Sequence, residues 1–134
     1  MTTPQTHLNI HRALCGEPTL LAEGEATVVL TTTEVMVADA RGLVHGGFVF
    51  GAVDYAAMLA VNDPNVVLGS AEVRFTAPVQ LGDVVRCTAH VTEAKGRKRV
   101  LAVEAAVGDK VVLAGTLSAF VLDQHVLGQA AGSA

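Results

Sequence analysis

The longest hydrophobic segment of the chain runs from Gly46 to Asn62, and nearly every residue in it is apolar. It has no turn signal after Gly47, and its length favours a helix over a strand. A helix that is apolar on all sides is normally buried on all sides. The residues "NDPN" at 62–65 form a turn signal that ends the segment. The pattern therefore predicts one long buried helix near the middle of the chain.

Most of the remaining chain alternates apolar and polar residues, which is the period of a β-strand. In the segment 85–92, for example, every odd position is apolar and every even position is polar. Short connections that contain glycine separate the segments after the helix, and such connections predict an antiparallel meander. The predicted strands are Glu25–Thr32, Leu68–Ala77, Val84–Glu93, Lys98–Val107 and Val111–Leu122.

The two ends of the chain carry little pattern. Residues 1–22 form an N-terminal segment in which we predict a short helix around Gln5–Leu14, and residues 126–134 form a flexible tail. A chain of 134 residues is expected to fold as one domain. One strand, a long helix and about four antiparallel strands predict an α+β fold. Because a sheet covers only one face of a helix, a strongly curved sheet or a second subunit must cover the rest.

Composition and charge narrow the class of protein. Hydrophobic residues make up 51% of the chain and charged residues 16%, which is typical of a folded protein. A net charge of −4 argues against general nucleic-acid binding, which needs a basic surface. The two cysteines, Cys15 and Cys87, form no disulfide framework and favour a reduced, cytoplasmic setting.

Neither a signal peptide nor a membrane span is expected. The first ten residues are polar, without the basic and apolar regions of a signal peptide. The segment Gly46–Asn62 is short for a span, and Asp54 within it would cost about 2.5–3.5 kcal/mol in a bilayer. We therefore interpret it as a buried helix and predict no membrane partner.

The motif with chemical potential lies in this predicted helix. "HGG" occupies residues 45–47, and Asp54 follows His45 by nine residues in an otherwise apolar run. Together with "SAEVRFTAPV" at 70–79 and "GD" at 82–83, this arrangement resembles the hotdog-fold acyl-CoA thioesterases, in particular the phenylacetate-pathway type. The resemblance extends from about Glu25 to Leu122. It implies a curved antiparallel sheet wrapped around one long buried helix, a homodimer or homotetramer, an acyl-CoA or acyl-carrier-protein thioester as substrate, and no metal or redox cofactor.

Thioester hydrolysis needs two groups that this motif can supply. The thioester carbonyl becomes an oxyanion when it is attacked, and backbone N–H groups at a helix N-terminus stabilise that charge. A carboxylate in apolar surroundings has a raised pKa, so Asp54 can activate water or attack the carbonyl directly. The resemblance implies that Gly46, with Gly47 next to it, supplies the N–H group that binds the oxyanion. It also implies that His45 positions the thioester or the turn. It also implies that Gly46 and Asp54 of one site come from different subunits.

Two positions depart from the family pattern. Asp39 stands where many members have an asparagine that touches the thioester oxygen, and an ionised Asp39 would repel a developing oxyanion. Leu68 stands where some members have a serine or threonine that holds the water. Ser70 follows Leu68 by two residues in the same predicted strand, so the two side chains are expected on the same face of the sheet. Asp39 and Ser70 are therefore candidates for contact with the substrate.

A second resemblance leaves an alternative function open. The segments "ARG" at 40–42, "SAEVRFT", "VTEAKGR" and "GDKVVLAGT" resemble the effector-binding hotdog domain of the malonyl-CoA-sensing repressors of lipid synthesis. Those domains bind the thioester without cleaving it and lack the acid in the helix. Because this chain has Asp54, we predict a thioester hydrolase. The alternative is a non-catalytic acyl-CoA-binding or sensing protein.

A basic cluster is the second candidate for substrate binding. "KGRKR" at residues 95–99 holds four of the nine basic residues. Its default interpretation is a solvated hairpin turn. The alternative is a patch in which Arg97, Lys98 and Arg99 bind the phosphates of coenzyme A.

Three further patterns have simpler alternatives. His7 and His11 have the spacing of a metal pair on a helix, but no third ligand is evident. Asp54 would be an N-cap if the helix began at Tyr55. Gly47 and Gly51 are spaced for close packing of the helix on the sheet.

Overall fold

A six-stranded antiparallel sheet and one long helix make up the computed structural model, which describes residues 2–128. The helix is close to its predicted position, and all five predicted strands begin and end within two residues of observed ones. The elements are α1 (Arg12–Cys15), β1 (Glu17–Ala22), β2 (Glu25–Thr31), a 3₁₀ turn (Glu34–Met36), α2 (Gly46–Val61), β3 (Val66–Phe75), β4 (Val84–Lys95), β5 (Lys98–Val107) and β6 (Lys110–Val121).

The strand order in the sheet is β1-β2-β4-β5-β6-β3, and every neighbouring pair is antiparallel. Strands β4, β5 and β6 form the predicted meander. The prediction was wrong for β3, which pairs with β6 at the far edge instead of with β4. The connection of residues 76–83 can span up to roughly 26 Å when extended, whereas three steps across a sheet need only about 14 Å. A short connection therefore does not require the two strands to be neighbours.

The N-terminal segment differs from its prediction. Instead of a helix around Gln5–Leu14, the structure has the single turn α1 followed by strand β1. Leu21 is the one buried residue of β1, because this strand lies at the edge of the sheet. The alternation that identified the other strands is therefore missing from it. At the other end, residues 126–128 form a turn with His125, and residues 129–134 of the predicted tail lie outside the described residues.

The core lies between α2 and the concave face of the sheet. Alanine side chains let the helix approach closely, and Cys87 is buried in this core as predicted, where burial raises the pKa of its thiol to about 12. The confirmed fold class is α+β, a curved antiparallel sheet around one long helix. Residues of α2 that face the core include Val49, Ala52, Val53, Ala56, Ala57, Leu59 and Ala60.

One face of α2 is not covered by the chain's own sheet. Gly47 is exposed, while Phe50, Gly51 and Asp54 are only half-buried. A Cβ atom placed on Gly51 would meet nothing within 4 Å. The interpretation that Gly47 and Gly51 allow the helix to pack closely on the sheet was therefore wrong for this chain. The prediction that α2 is buried on all sides was also wrong for this chain. We call the residues 47, 50, 51 and 54 the open face of α2.

None of the helices within residues 2–128 has both the length and the apolar character needed to cross a membrane.

Candidate active site

The N-terminus of α2 lies beside a cleft, and two of its backbone amides have no acceptor among the described residues. His45 precedes the helix in an extended conformation, and its side chain makes no capping hydrogen bond. The amide of Phe48 donates to the carbonyl of His45 (3.1 Å), whereas those of Gly46 and Gly47 find no acceptor in the part of the chain that the structure describes. Gly46 lines a cleft of about 400 Å³. Free N–H groups at a helix N-terminus stabilise negative charge.

Phe75 explains why a glycine stands at position 46. A Cβ atom on Gly46 would lie 3.3 Å from Cε1 of the Phe75 ring, which lines the same cleft. The ring is at the end of β3 and is 55% exposed. Sequence reasoning did not identify Phe75 as a site residue, although an aromatic side chain ending a strand next to "TAPV" was a signal that could have been followed.

The imidazole of His45 lies over the first turn of the helix. A Cβ atom on Gly47 would lie 3.1 Å from Cδ2 and 3.2 Å from Nε2 of His45. The ring also meets Phe48 edge-on, with 6.2 Å between the ring centroids. Because the residue at 47 has no side chain, the imidazole can occupy this space. The arrangement fits a positioning role for His45, which stays a prediction.

Asp54 is the ninth residue of α2, so it does not cap a helix that begins at Tyr55, and that alternative was wrong. Its Oδ1 atom is buried and has no hydrogen-bond partner among residues 2–128. Burial raises the pKa of the carboxyl group to about 6. A buried carboxylate without hydrogen-bond partners destabilises the folded state, and such groups cluster at functional sites.

The N-terminal segment packs along α2 beside Asp54. The amide of Gln5 donates to Oδ1 of Asn62 (2.7 Å), and Nδ2 of Asn62 donates to the carbonyl of Thr3 (3.0 Å). Later in the same segment, the pKa of the Cys15 thiol is raised mainly by burial and to a smaller extent by the charge of Asp54. Cys15 thus lies near the candidate catalytic carboxylate, and the sequence carried no signal for this proximity.

The histidine pair of the N-terminal segment is not on a helix, because α1 begins only at Arg12. The ring of His7 is 6.2 Å from that of Tyr55, and its Nδ1 shares a hydrogen bond with the hydroxyl of Thr6 (2.8 Å). Burial lowers the pKa of His7. The helical spacing that suggested a metal pair was therefore wrong.

One chain does not bring Gly46 and Asp54 together. Eight residues separate them on α2, which corresponds to roughly 12 Å along the helix axis. Gly46 lines the cleft at the helix N-terminus, and Asp54 lines neither that cleft nor the larger one beside it. A site that uses both groups on one substrate needs a second chain.

Asp39 holds the loop before α2. Its Oδ1 atom accepts hydrogen bonds from the amides of Arg41 (2.9 Å) and Leu43 (3.1 Å). It also lines the larger cleft, of about 580 Å³. Ser70 is exposed on β3 opposite Ser118 and lines neither cleft. Contact of Asp39 or Ser70 with a substrate stays a prediction.

The basic cluster forms the tip of the β4–β5 hairpin. Arg97 is paired with Asp123, and the guanidinium of Arg99 donates to the carbonyls of Gly96 (2.9 Å) and Lys98 (3.0 Å). Strand pairing puts this tip beside residue 120 of β6, whereas Phe75 and the N-terminus of α2 lie near residue 113. In one chain the cluster and Gly46 are therefore at opposite ends of the sheet.

Residues 55–125 match the family described as fluoroacetyl-CoA-specific thioesterase, FlK. These 71 residues are more than half of the 134 in the chain. The chain belongs to this family. The FlK match begins one residue after Asp54, so "HGG" and Asp54 lie outside it.

Solved structures share the fold of this FlK-family chain. A protein of uncharacterised function from Pyrococcus horikoshii is 49% identical, with a TM-score of 0.93, over 94% of this chain and 97% of its own. An asparagine-to-aspartate variant of the phenylacetic acid degradation protein PaaI from Thermus thermophilus is 29% identical, with a TM-score of 0.75, over 83% of this chain and 96% of its own. The predicted membership of the hotdog thioesterase superfamily is confirmed.

Curated relatives of the FlK-family chain are longer than it is. A methylthioribose-1-phosphate isomerase of Aquifex aeolicus is 49% identical over 126 residues, which are 93% of this chain but only 28% of the relative. Transcription factor FapR of a Thermoanaerobacter species is 26% identical over 99 residues, or 74% of this chain and 50% of FapR. The chain thus spans about a quarter of the length of the isomerase and about half of the length of FapR.

Proposed function

We propose that this protein hydrolyses an acyl-CoA or acyl-carrier-protein thioester, in a homodimer whose sites combine Gly46 of one chain with Asp54 of the other. The observation that carries the proposal is the buried Oδ1 of Asp54, which has no hydrogen-bond partner among the described residues, on the same helix whose first residue, Gly46, lines a cleft. The family match adds support, because its description is a thioesterase.

In the proposed reaction, Asp54 takes a proton from water while the water oxygen attacks the thioester carbonyl carbon. The carbonyl oxygen becomes negative, and the amide of Gly46 stabilises that charge. The C–S bond then breaks, and the leaving thiolate takes the proton from Asp54. The products are a carboxylic acid and a free thiol, and no metal or redox cofactor enters. In the other route, Asp54 attacks the carbonyl itself and water hydrolyses the mixed anhydride.

A second chain is part of this proposal for two reasons. The open face of α2 carries Gly47, Gly51 and the half-buried Asp54, and β3 forms an edge strand that pairs only with β6 within residues 2–128. Both features can be covered by another copy of the chain. Two dimers can join into a tetramer. The free thiols of Cys15 and Cys87 support a cytoplasmic setting.

The second candidate function is acyl-CoA binding without hydrolysis. The similarity to transcription factor FapR over 74% of the chain favours it. In that case Asp54 would have no chemical role and its burial would only cost stability. The isomerase name belongs to a relative of which this chain spans 28%, so no isomerase activity is proposed.

Thiol release from a panel of acyl-CoAs, including fluoroacetyl-CoA and phenylacetyl-CoA, tests the two candidates. We expect hydrolysis of at least one thioester, and a loss of about 10²–10⁴-fold in kcat for Asp54→Asn. Asp63→Asn is the matched control, because the side chain of Asp63 accepts a local hydrogen bond from the amide of Asn65 (2.8 Å). Tight binding of an acyl-CoA with no thiol release from any member of the panel would favour the sensor.

A further inference from the structure

Two clefts lie next to each other beside the N-terminus of α2. Both are lined by Leu43, Pro78, Val79 and Val112, and we call the two neighbouring clefts together the groove. The inner end of the groove is at Gly46. The outer end carries four charged residues from three separate parts of the chain: Asp39, Arg41, Asp83 and Lys110.

The two carboxylates at the outer end are occupied by the loops that carry them. Asp39 Oδ1 accepts from two amides of its own loop, and Asp83 Oδ2 accepts from the amide of Gln80 (2.9 Å). The side chains of Arg41 and Lys110 are exposed, and within the described range 2–128 they make neither an ion pair nor a hydrogen bond. Arg41 and Lys110 are therefore the charged side chains at this end that no described residue holds in place, so they can turn toward a ligand.

The backbone limits the separation of Arg41 from Gly46. Residues 43–45 are extended and are held to the neighbouring loop by hydrogen bonds. The amide of Val44 donates to the carbonyl of Val79 (2.8 Å), and the amide of Leu81 donates to the carbonyl of Gly42 (2.8 Å). At about 3.3 Å per residue, the five steps from Arg41 to Gly46 span at most roughly 16 Å. A ligand that reaches both ends therefore spans a distance of up to about this size between its reacting carbonyl and its anionic groups.

We propose that Arg41 and Lys110 bind the phosphate groups of coenzyme A while its pantetheine arm follows the groove to Gly46. This assignment rests on the proposed function, because it assumes a CoA thioester. The arm is long and uncharged and suits the apolar walls of Pro78, Val79 and Val112, and guanidinium and ammonium groups are the usual partners of phosphate oxygens.

This placement competes with the basic hairpin as the phosphate-binding region. In the hairpin, Arg97 is paired with Asp123 and Arg99 is engaged by backbone carbonyls. Arg41 and Lys110 lie on the same groove as Gly46, whereas the hairpin can reach that groove only from a second chain. The two assignments therefore predict opposite results for substitutions at the two places.

Calorimetric titration of the whole protein with coenzyme A tests the proposal directly. We expect Arg41→Ala/Lys110→Ala to weaken binding of coenzyme A by at least about tenfold, since two charge-assisted contacts are lost. Arg86→Ala is the matched control, because Arg86 is exposed on β4 away from the groove, and we expect no change. Pantetheine, which has no phosphate, should bind equally to all three proteins.

An affinity of Arg41→Ala/Lys110→Ala for coenzyme A within twofold of the wild type would overturn the proposal. A larger loss in Arg97→Ala/Arg99→Ala than in Arg41→Ala/Lys110→Ala would overturn it in favour of the hairpin. If coenzyme A binds as expected but no thioester is hydrolysed, the hydrolase fails and the phosphate site stands. Absence of any binding of coenzyme A to the wild type would overturn the phosphate site, whereas the hydrolase is decided separately by thiol release.

Discussion

Gly46 and Asp54 lie on the same helix, eight residues apart, and face different surroundings. Gly46 lines a cleft beside Phe75, whereas Asp54 lies half-buried near Cys15. Gly51 lies between them on the open face, where a Cβ atom would touch nothing. If both groups act on one thioester, the substrate must lie between two copies of α2.

Replacement of Gly46 by proline should remove the oxyanion donor without disrupting the helix. Gly46 is the first residue of α2, where proline is well tolerated, and His45 has the extended conformation that precedes proline (φ −64°, ψ 128°). We expect kcat to fall by about 10²–10³-fold, the usual effect of losing one such donor. Gly46→Ala is the control, because it adds a similar contact with Phe75 but keeps the N–H. Equal activity of the two variants would contradict the role of the amide.

Mixed dimers test whether each site is shared between chains. Gly46→Pro and Asp54→Asn should each be nearly inactive alone. In a dimer of one chain of each kind, one site carries both changes and the other carries neither. Random mixing at equal concentration should therefore restore about a quarter of the wild-type rate per site, by the two-fold symmetry of the dimer. Mixtures that stay as inactive as the separate variants would show that each site lies within one chain.

The pH dependence of kcat/KM should report the ionisation of Asp54. Burial raises its pKa to about 6, and a base or nucleophile must be ionised. We therefore expect kcat/KM to rise about tenfold per pH unit below this value and to level off above it. A rising limb centred near pH 4, the range of an exposed aspartate, would mean that another group controls the rate.

Stability should depend on pH through the same carboxyl group. Its pKa is 3.8 unfolded and about 6 folded, so the neutral form stabilises the fold fully below pH 3.8. That contribution is lost as the pH rises through about 6. Asp54→Asn should therefore raise the free energy of unfolding at pH 7 by on the order of 2 kcal/mol and have little effect at pH 4.

Urea unfolding at both pH values measures this difference. Asp63→Asn serves as the control, since no gain at pH 7 is expected for it. The prediction fails if Asp54→Asn shifts the free energy of unfolding equally at pH 4 and pH 7.

Local pattern was enough to predict the main elements, and the family resemblance supplied the candidate chemical motif. The unbroken apolar run predicts α2 because a buried helix needs apolar residues on nearly all sides, and alternation predicts the strands because successive side chains point to opposite faces. Asp54 stands out because a charged residue is rare in such a run. The edge strand β1 was missed because only Leu21 of its six residues is buried.

By itself, the sequence determined which segments become the helix and most strands, and which residues can carry the chemistry, because these properties depend on neighbours in the chain. Only the tertiary structure decided that β3 pairs with β6, that the N-terminal segment brings Cys15 near Asp54, and that Arg41 and Lys110 share one groove. Residues 41 and 110 are almost seventy positions apart in the chain, and no local pattern specifies a contact of that range. Long-range contacts form because the sheet curves around α2 to bury its apolar surface, which places distant loops side by side.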